Sequence, residues 1–222
     1  MADESSSAPE NAVDYGIAAF REVTRHPKAH AHILQQYRVG EYAGVVALKR
    51  LLAEMQPEGK LHKAMEIHFR DEERHSQVFT DWIYRLGVTP EPLPAEVEGY
   101  FANSPEEFEQ QRRLVEQLPP DLRRIIVFAG INAIEKIAFN QFETHLRALD
   151  RPDDVRLLES VMAEEKFHLS YVEHELERVQ TGENGAFVKM ALDTAKERFA
   201  VFSEMRREQS RVAIEKLLGA GG

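Results

Sequence analysis

The sequence predicts an all-α protein, and two observations carry that prediction: where the prolines lie and how often apolar residues recur. Ten prolines leave four long proline-free segments, at 28–56, 58–89, 121–151 and 153–222. Proline inside a helix removes a backbone donor and costs about 3 kcal/mol, so long helices are expected between the prolines. Within these segments apolar residues recur every three or four positions, the period of a helix with one buried face. We predict that the helices pair as two hairpins and pack as a four-helix bundle.

Further elements are predicted around the bundle, which is expected to span about residues 30–180. A short helix is expected over 11–25, and the proline- and glutamate-rich segment 88–120 is expected to cross between the hairpins. Within it, Ser104-Pro105-Glu106-Glu107 has the pattern of a helix start and predicts a helix near 106–118. A final helix over about 186–217 is expected to cap the bundle or contact another subunit. Residues 1–10 are expected to be disordered, 11–217 to form one domain, and 218–222 to be a flexible tail.

Composition argues against several classes of function. The formal net charge is -10 and the sequence pI is about 5.4, and no cluster of Lys and Arg is visible, which disfavours a nucleic-acid-binding surface. There is no cysteine, so disulfides, thiolate zinc sites and cysteine-ligated iron–sulfur clusters are excluded. The N-terminus lacks signal-peptide features, and no uninterrupted apolar run of about 18 residues is present. We expect a cytoplasmic protein with no nucleic-acid or membrane partner.

A repeated motif points to a metal site. Glu41 is followed 31 residues later by the Glu-x-x-His motif of Glu72 and His75, and Glu135 is followed 30 residues later by that of Glu165 and His168. One Glu-x-x-His pair is weak support, because about one is expected by chance in this composition. Two pairs, each preceded by a glutamate at nearly the same distance, form a more specific pattern.

The positions of these residues along the helices strengthen the pattern. If the hairpins turn near Pro57 and Arg151, all six residues lie 14 to 18 positions from their turn. With a rise of about 1.5 Å per residue they reach the same level of the bundle. Glu143 lies only eight positions before the second turn, about 12 Å from that level. We therefore predict Glu135, and not Glu143, as the ligand from the third long helix.

The residue types favour a redox metal. Carboxylates can bind one metal or bridge two, and one neutral imidazole per metal leaves positions open for dioxygen, peroxide or water. This donor set suits iron or manganese better than structural zinc. We predict two iron ions, with manganese or a mixed manganese–iron centre as alternatives. A buried hydrogen-bonded network with no metal is the other interpretation of these residues.

Other residues on the same helix faces are candidates for the surroundings of the site. Tyr37, His68 and His145 are predicted either to line the site or to pack in the core. The predicted apolar wall of a pocket consists of Phe69, Phe79, Phe128, Phe139 and Phe142. The histidines His26, His30 and His32 are predicted to lie on a solvated face.

At the six motif positions the chain resembles the ferritin-like di-iron carboxylate superfamily, which includes rubrerythrins, bacterioferritins and aldehyde-deformylating oxygenases. The resemblance covers about residues 30–180. It implies that Glu41 and His75 complete one metal, that Glu135 and His168 complete the other, and that Glu72 and Glu165 bridge them. Two positions depart from known members. Ala138 stands where rubrerythrin-like peroxidases carry a further glutamate, and Leu48 stands where the ferritin ferroxidase site has a tyrosine. There is also no cysteine for a rubredoxin module.

Because of these departures, we rank three functional hypotheses in the following order. The first is a di-iron oxidase or oxygenase that uses dioxygen on a small organic substrate and takes electrons from an external donor, with a homodimer as a candidate assembly. The second is a ferroxidase or a peroxide-scavenging protein of the rubrerythrin kind. The third is a non-enzymatic helical interaction module whose polar core is fortuitous.

Overall fold

The computed structural model describes residues 10–94, 97, 100, 102 and 104–219. These residues form helices and no strand, which confirms the predicted all-α class. The helices are α1 (Glu10–Arg25), α2 (Pro27–Glu54), α3 (Lys60–Arg85), α4 (Pro105–Glu116), α5 (Pro120–Leu146), α6 (Pro152–Gln180) and α7 (Gly185–Gly219). The predictions for residues 1–9 and 220–222 concern residues outside the described part. Residue 10, predicted to be disordered, begins α1, and residues 218 and 219, predicted to be in the tail, end α7.

Local sequence signals explain where several helices begin and end. Helices α2, α4, α5 and α6 start with a proline, whose fixed φ suits the first helical position and whose missing N–H is not needed there. The predicted cap of α4 is present, since Ser104 Oγ accepts a hydrogen bond of 3.1 Å from the Glu107 N–H. Helix α3 is followed by Gly87, whose φ of +75° is unfavourable for a residue with a side chain.

Four helices, α2, α3, α5 and α6, enclose a common interior. Helix α2 packs along α3, and α5 packs along α6, as two hairpins would. Contacts of α3 with α6 and of α2 with α5 close the arrangement. Helix α7 packs mainly on α5 and also contacts α2 and α6. Because α7 contacts both α2 and α5, it covers the side of the molecule where these two helices meet.

Two apolar cores lie toward opposite ends of the four helices. One contains Leu48, Met65, Phe128 and Val172. The other contains Leu34, Phe79, Phe142 and Leu158. On every one of the four helices the two core positions are 14 residues apart, and a glutamate lies midway, seven residues from each. Four turns of helix therefore separate the cores, and the polar residues of the motifs lie between them.

Helix α5 is by length and composition the one described helix that could cross a membrane. The core helix of a soluble protein has the same composition. In this structure α5 packs against α1, α2, α4, α6 and α7, as a core helix does.

Candidate metal centre

One buried cluster of carboxylates and imidazoles lies between the two apolar cores. Its members are Glu41 of α2, His68, Glu72 and His75 of α3, Glu135 of α5, and Glu165 and His168 of α6. Each member is at most 8% exposed to solvent. The structure therefore brings together all six residues of the predicted pattern. It adds His68, which was predicted only as a candidate for the surroundings of the site.

The possible ligand atoms fall into two groups, each compact enough to surround one ion. The atoms of Glu41, His75 and Glu165 lie within 4.8 Å of one another. The same limit holds for the atoms of His68, Glu72, Glu135 and His168.

Glu165 contacts a histidine of each group, and Glu72 contacts residues of both groups. Glu165 Oε1 lies 3.0 Å from His75 Nδ1, and its Oε2 lies 2.8 Å from His168 Nδ1. Glu72 shares a hydrogen bond with Glu41 of the first group, and its Oε1 lies 2.8 Å from His68 Nε2 of its own group. The contacts of Glu165 and Glu72 with both groups are compatible with a carboxylate bridge at each of these positions.

His75 and His168 are held by carboxylates outside the cluster. Each aims Nδ1 into the cluster, while His75 Nε2 lies 2.7 Å from Glu164 Oε2 and His168 Nε2 lies 3.3 Å from Asp71 Oδ2. Arg74 contacts both of these outer carboxylates. An outer carboxylate of this kind fixes the ring and the tautomer, so that the inner nitrogen is free to bind a metal.

Sequence reasoning missed Asp71 and Glu164, although a signal was present. An acidic residue directly precedes the glutamate in both Glu-x-x-His motifs, as Asp71-Glu72 and Glu164-Glu165. On a helix this neighbour points about 100° away from the motif glutamate, toward the adjacent helix. The two outer contacts are reciprocal: Asp71 of α3 holds His168 of α6, and Glu164 of α6 holds His75 of α3.

His68 is held differently from the two predicted histidines. Its Nε2 lies 2.8 Å from Glu72 Oε1 and 3.1 Å from Glu135 Oε1, and its Nδ1 lies 2.8 Å from the Tyr171 hydroxyl. Its ring stacks on that of His168, with 3.7 Å between the ring centroids. In the tautomer whose Nδ1–H donates to Tyr171, the inner nitrogen of His68 is free to bind a metal.

Burial and mutual repulsion change the acidity of the cluster. Burial, followed by the charges of neighbouring glutamates, raises the pKa of Glu72 well above its ordinary value. Burial and then the charge of Glu165 raise the pKa of Glu135 to about 7. Burial acts to lower the pKa of His75, but contacts with Glu165 and Glu41 outweigh it and raise that pKa to about 11. The metal-free cluster therefore holds protons near neutral pH, and a cation that binds must displace them.

The donor set fits metal cations better than a closed hydrogen-bonded network. Among the residues that the structure describes, the ion-pair partners of the four cluster glutamates are all histidines, with no Lys or Arg. Glu165 Oε1 is buried and lies 3.0 Å from His75 Nδ1, but it has no well-formed hydrogen bond among the described residues. A buried polar atom left without a partner costs about 1–3 kcal/mol. Oxygen-rich ligation with imidazole suits iron or manganese.

A glycine on α2 makes room for the cluster. A Cβ atom at Gly44 would lie 2.9 Å from Glu72 Oε2 and 3.0 Å from its Cδ, which is closer than real Cβ contacts. One turn earlier, a Cβ atom at Gly40 would meet nothing within 4 Å. The absence of a side chain at Gly44 therefore allows the Glu72 carboxylate to approach α2.

A cavity of about 250 Å³ lies beside the cluster, between α2, α5 and α7. Four cluster residues form part of its wall, namely Glu41, His68, Glu72 and Glu135. Much of the remaining wall is apolar and includes Leu48, Ile131, Ile134, Ala138, Phe199 and Phe202.

The structure places several of the predicted pocket residues away from this cavity. Tyr37, His68 and Phe142 line it. Phe79 and Phe128 lie in the two apolar cores, Phe69 and Phe139 pack against those cores, and His145 packs with Trp82. The helices have several buried faces, and most of the residues that border the cavity come from α2, α5 and α7. Phe199 and Phe202 of α7 take the places that the sequence analysis gave to other phenylalanines.

One predicted surface histidine is buried. His30 is 2% exposed, and its Nε2 lies 3.0 Å from His145 Nε2. Burial lowers the pKa of His30 to about 4, and burial with the neighbouring His30 lowers the pKa of His145 to about 3. The prediction of a solvated face at this position is wrong, because α1 and the end of α5 pack over the start of α2.

Comparisons with protein-family models, with curated proteins and with solved structures find no match to this chain. The conclusion about this chain therefore rests on its structure alone. The chain is an all-helical protein with buried His and Glu groups that could hold metal ions.

Proposed function

We propose that this chain is a ferritin-like, non-haem di-iron oxidoreductase that uses dioxygen to oxidise a small organic substrate. The two buried groups of carboxylates and imidazoles support the metal part of the proposal. The pairing of α2 with α3 and of α5 with α6 is compatible with a ferritin-like bundle.

In this proposal the chain holds two iron ions, with manganese or a mixed pair as alternatives. Glu41 and His75 would hold one ion, Glu135 and His168 would hold the other, and Glu72 and Glu165 would contribute carboxylates to both. His68 is an additional imidazole on the side of Glu135. When bound, the ions would supply redox chemistry and Lewis acidity at this site.

The observation that carries the oxidase or oxygenase reaction is the cavity that the cluster borders. Its wall includes both positions at which the sequence departs from the peroxidase and ferroxidase patterns, Ala138 and Leu48. At both positions an apolar side chain faces the cavity in place of a carboxylate or a phenol. This wall suits an organic molecule better than a path for hydrated ferrous ions.

The protein residues around the cavity exclude water and orient what binds. The Tyr37 hydroxyl lies one turn before Glu41, is buried, and has no hydrogen-bond partner within the described part of the chain. Burial raises the pKa of Tyr37, so that its hydroxyl stays protonated and can donate a hydrogen bond into the cavity. Because the chain has no cysteine, the electrons are proposed to come from an external donor. A cytoplasmic location and a homodimer are further parts of the proposal.

Rapid mixing tests the reaction class. Anaerobically reconstituted di-ferrous protein is mixed separately with dioxygen, with hydrogen peroxide and with excess ferrous ion. We expect oxidation by dioxygen at least as fast as by peroxide, and no ferric core. Oxidation by peroxide that is orders of magnitude faster, or continued turnover of ferrous ion, would support the peroxidase or ferroxidase alternative. Failure to bind iron or manganese at all would favour the non-enzymatic interaction module.

A further inference from the structure

The cavity beside the cluster has two chemically different sides. On one side lie the carboxylates of Glu41, Glu72 and Glu135, all buried. On another part of the wall lie the more exposed polar residues Gln141 and Ser203, together with Arg206. A molecule that filled the cavity would therefore meet carboxylates, apolar side chains and a guanidinium group.

Arg206 is positioned by its neighbours, and none of the carboxylates that the structure describes forms an ion pair with it. Its guanidinium carbon lies 4.4 Å from the centre of the Tyr100 ring and 5.2 Å from that of Phe202. Nη2 donates a hydrogen bond of 3.3 Å to the Tyr100 carbonyl oxygen, while the buried Nε has no partner. Within the described part of the chain no carboxylate lies at ion-pair distance from Arg206. Aromatic faces and one carbonyl thus hold the group in place and leave N–H donors free.

The other arginines of α7 provide the contrast. Arg198 lies 3.7 Å from Glu107, Arg207 lies 2.5 Å from Glu204, and Arg211 pairs with two glutamates on its own helix. In a chain with a formal net charge of -10, carboxylates are abundant enough to pair with most cations. An arginine that lines a cavity without such a partner is suited to bind an anion from outside, because its N–H groups match a carboxylate.

The size of the cavity limits what can bind. Its volume of about 250 Å³ equals roughly eight waters at about 30 Å³ each, which corresponds to on the order of ten non-hydrogen atoms. Gly40 contributes to this room, since it lines the cavity and a Cβ atom there would meet nothing within 4 Å. The wall of the cavity also includes Ala138, Ile134 and Phe199, which favour an unbranched or aromatic apolar body.

We propose that the cavity binds an apolar carboxylic acid of about ten non-hydrogen atoms, with its carboxylate on Arg206 and its apolar part toward the Glu/His cluster. This inference rests on the proposed function, because it names the substrate class of the same site. The orientation follows from charge: the carboxylates of the cluster repel an anion, and Arg206 attracts it. The apolar end of the molecule is then the end that lies beside the proposed metal ions.

Calorimetric titration with two matched probes tests the inference. Octanoate and 1-octanol have similar apolar chains, and only the acid carries a charge at pH 7. Both are titrated into the metal-free and the iron-loaded protein at fixed ionic strength. We expect octanoate to bind at least about tenfold more tightly than 1-octanol, since Arg206 contributes a charge-assisted pair. The preference is expected in both metal states.

Four variants separate charge from shape. Arg206→Met is expected to weaken octanoate binding by about tenfold or more and to leave 1-octanol binding within about twofold. Arg206→Lys is expected to retain part of the preference for the acid, and Arg207→Met, the adjacent exposed arginine, is expected to change neither probe. Gly40→Leu is expected to weaken both probes, because it fills the cavity. Unchanged 1-octanol binding in Arg206→Met also shows that the variant is folded.

Several results would overturn the inference. They are equal affinity for the two probes, an unchanged octanoate affinity in Arg206→Met, the absence of binding to the wild-type protein, and a preference for the acid only when iron is present. The last result would mean that the carboxylate binds the metal directly. Iron content and the reaction with dioxygen are measured on the same samples. A failure of the proposed function, with no iron or no reaction, is thereby distinguished from a failure of the acid site.

Discussion

The molecule contains two buried groups of histidines, and they differ in what surrounds them. In the Glu/His cluster, three imidazoles share their surroundings with four carboxylates. At the other site His30 and His145 contact each other and Trp82, and the described hydrogen bonds of the pair include no carboxylate. The pKa of His75 and that of His168 are raised above the ordinary value, because their glutamate contacts outweigh burial. The pKa values of His30 and His145 are lowered, because burial acts with no compensating charge.

This difference shows why burial of histidines alone does not indicate a metal site. A neutral histidine pair with aromatic neighbours is a stable part of an apolar core. A cluster of carboxylates has no comparable state without protons or cations, because desolvation and repulsion both oppose its charge. Carboxylates that share one buried space are therefore the more specific signal, and the following predictions use the His30–His145 pair as the internal control.

The largest expected effect is the loss of metal when a bridging carboxylate is removed. Glu165→Ala removes the residue that contacts a histidine in each group, so iron content is expected to fall from about two ions per chain to one or fewer. Elemental analysis after anaerobic reconstitution measures it. Glu143→Ala on the exposed side of α5 is the matched control and should retain both ions. Full iron content in Glu165→Ala would remove that residue from the proposed ligand set.

A smaller loss is expected when the outer carboxylates are neutralised. Asp71→Asn and Glu164→Gln weaken the contacts that orient His168 and His75, and metal affinity is expected to fall by about 10- to 100-fold. Competition with a chelator measures the affinity. Glu73→Gln, an exposed neighbour on α3, is the control. Equal affinities in all three variants would show that the outer contacts do not tune the site.

Adding a methyl group at Gly44 should have a weaker and more selective effect. The new Cβ atom would push the Glu72 carboxylate out of position, so metal affinity is expected to fall by about tenfold. Alanine stabilises a helix relative to glycine by about 1 kcal/mol, so the metal-free Gly44→Ala protein should unfold at no lower denaturant concentration than wild type. Gly40→Ala, with open space around its Cβ atom, should gain the same stability and retain its metal affinity. Identical metal affinities in the two variants would contradict the tight fit at Gly44.

The last predicted effect concerns the control pair, leaves the metal site unchanged and appears only in acid. The pKa values of His30 and His145 are lowered from 6.5 in the unfolded chain to about 4 and about 3 in the folded protein. Between pH 6.5 and 4 the unfolded chain therefore binds more protons at these sites, and stability falls as pH falls. Each histidine contributes at most about 1.4 kcal/mol per pH unit.

The double variant His30→Leu/His145→Phe removes both titrating groups without leaving an unpaired partner. Urea unfolding of the metal-free proteins at pH 7.5 and pH 5 should show a smaller loss of stability in the variant than in wild type. Its iron content should equal that of wild type. An acid sensitivity equal to that of wild type would mean that the pair is not the acid-labile element, and a loss of iron would end its use as a control.

Much of this arrangement could be predicted from the sequence because it depends on spacing along single helices. The prolines gave the boundaries of the long helices, since the energetic penalty of proline is local. The position of the site along the helices also follows from spacing within single helices. Leu34, Glu41 and Leu48 are seven residues apart. Met65, Glu72 and Phe79 repeat that spacing. Seven residues are close to two turns of helix, so each glutamate lies on the same face as its two core neighbours.

The features that could not be predicted depend on how helices pack against each other. The approach of His68 to Tyr171 and the placement of Phe142 at the cavity are decided by rotations and distances between helices, which periodicity does not specify. The same holds for α7, whose contact with both α2 and α5 creates the wall that contains Phe199 and Arg206. His30 was misassigned because its neighbours in space, His145 and Trp82, are distant in sequence.

The most direct test of the central claim is the location of bound metal. Crystals of anaerobically reconstituted protein, measured on both sides of the iron absorption edge, would show where iron lies in the chain. We predict two anomalous peaks inside the Glu/His cluster, one near Glu41 and His75 and one near Glu135 and His168, and none at the His30–His145 pair. Iron only at the His30–His145 pair or on the surface, or no iron in protein that is folded and reconstituted, would contradict the account.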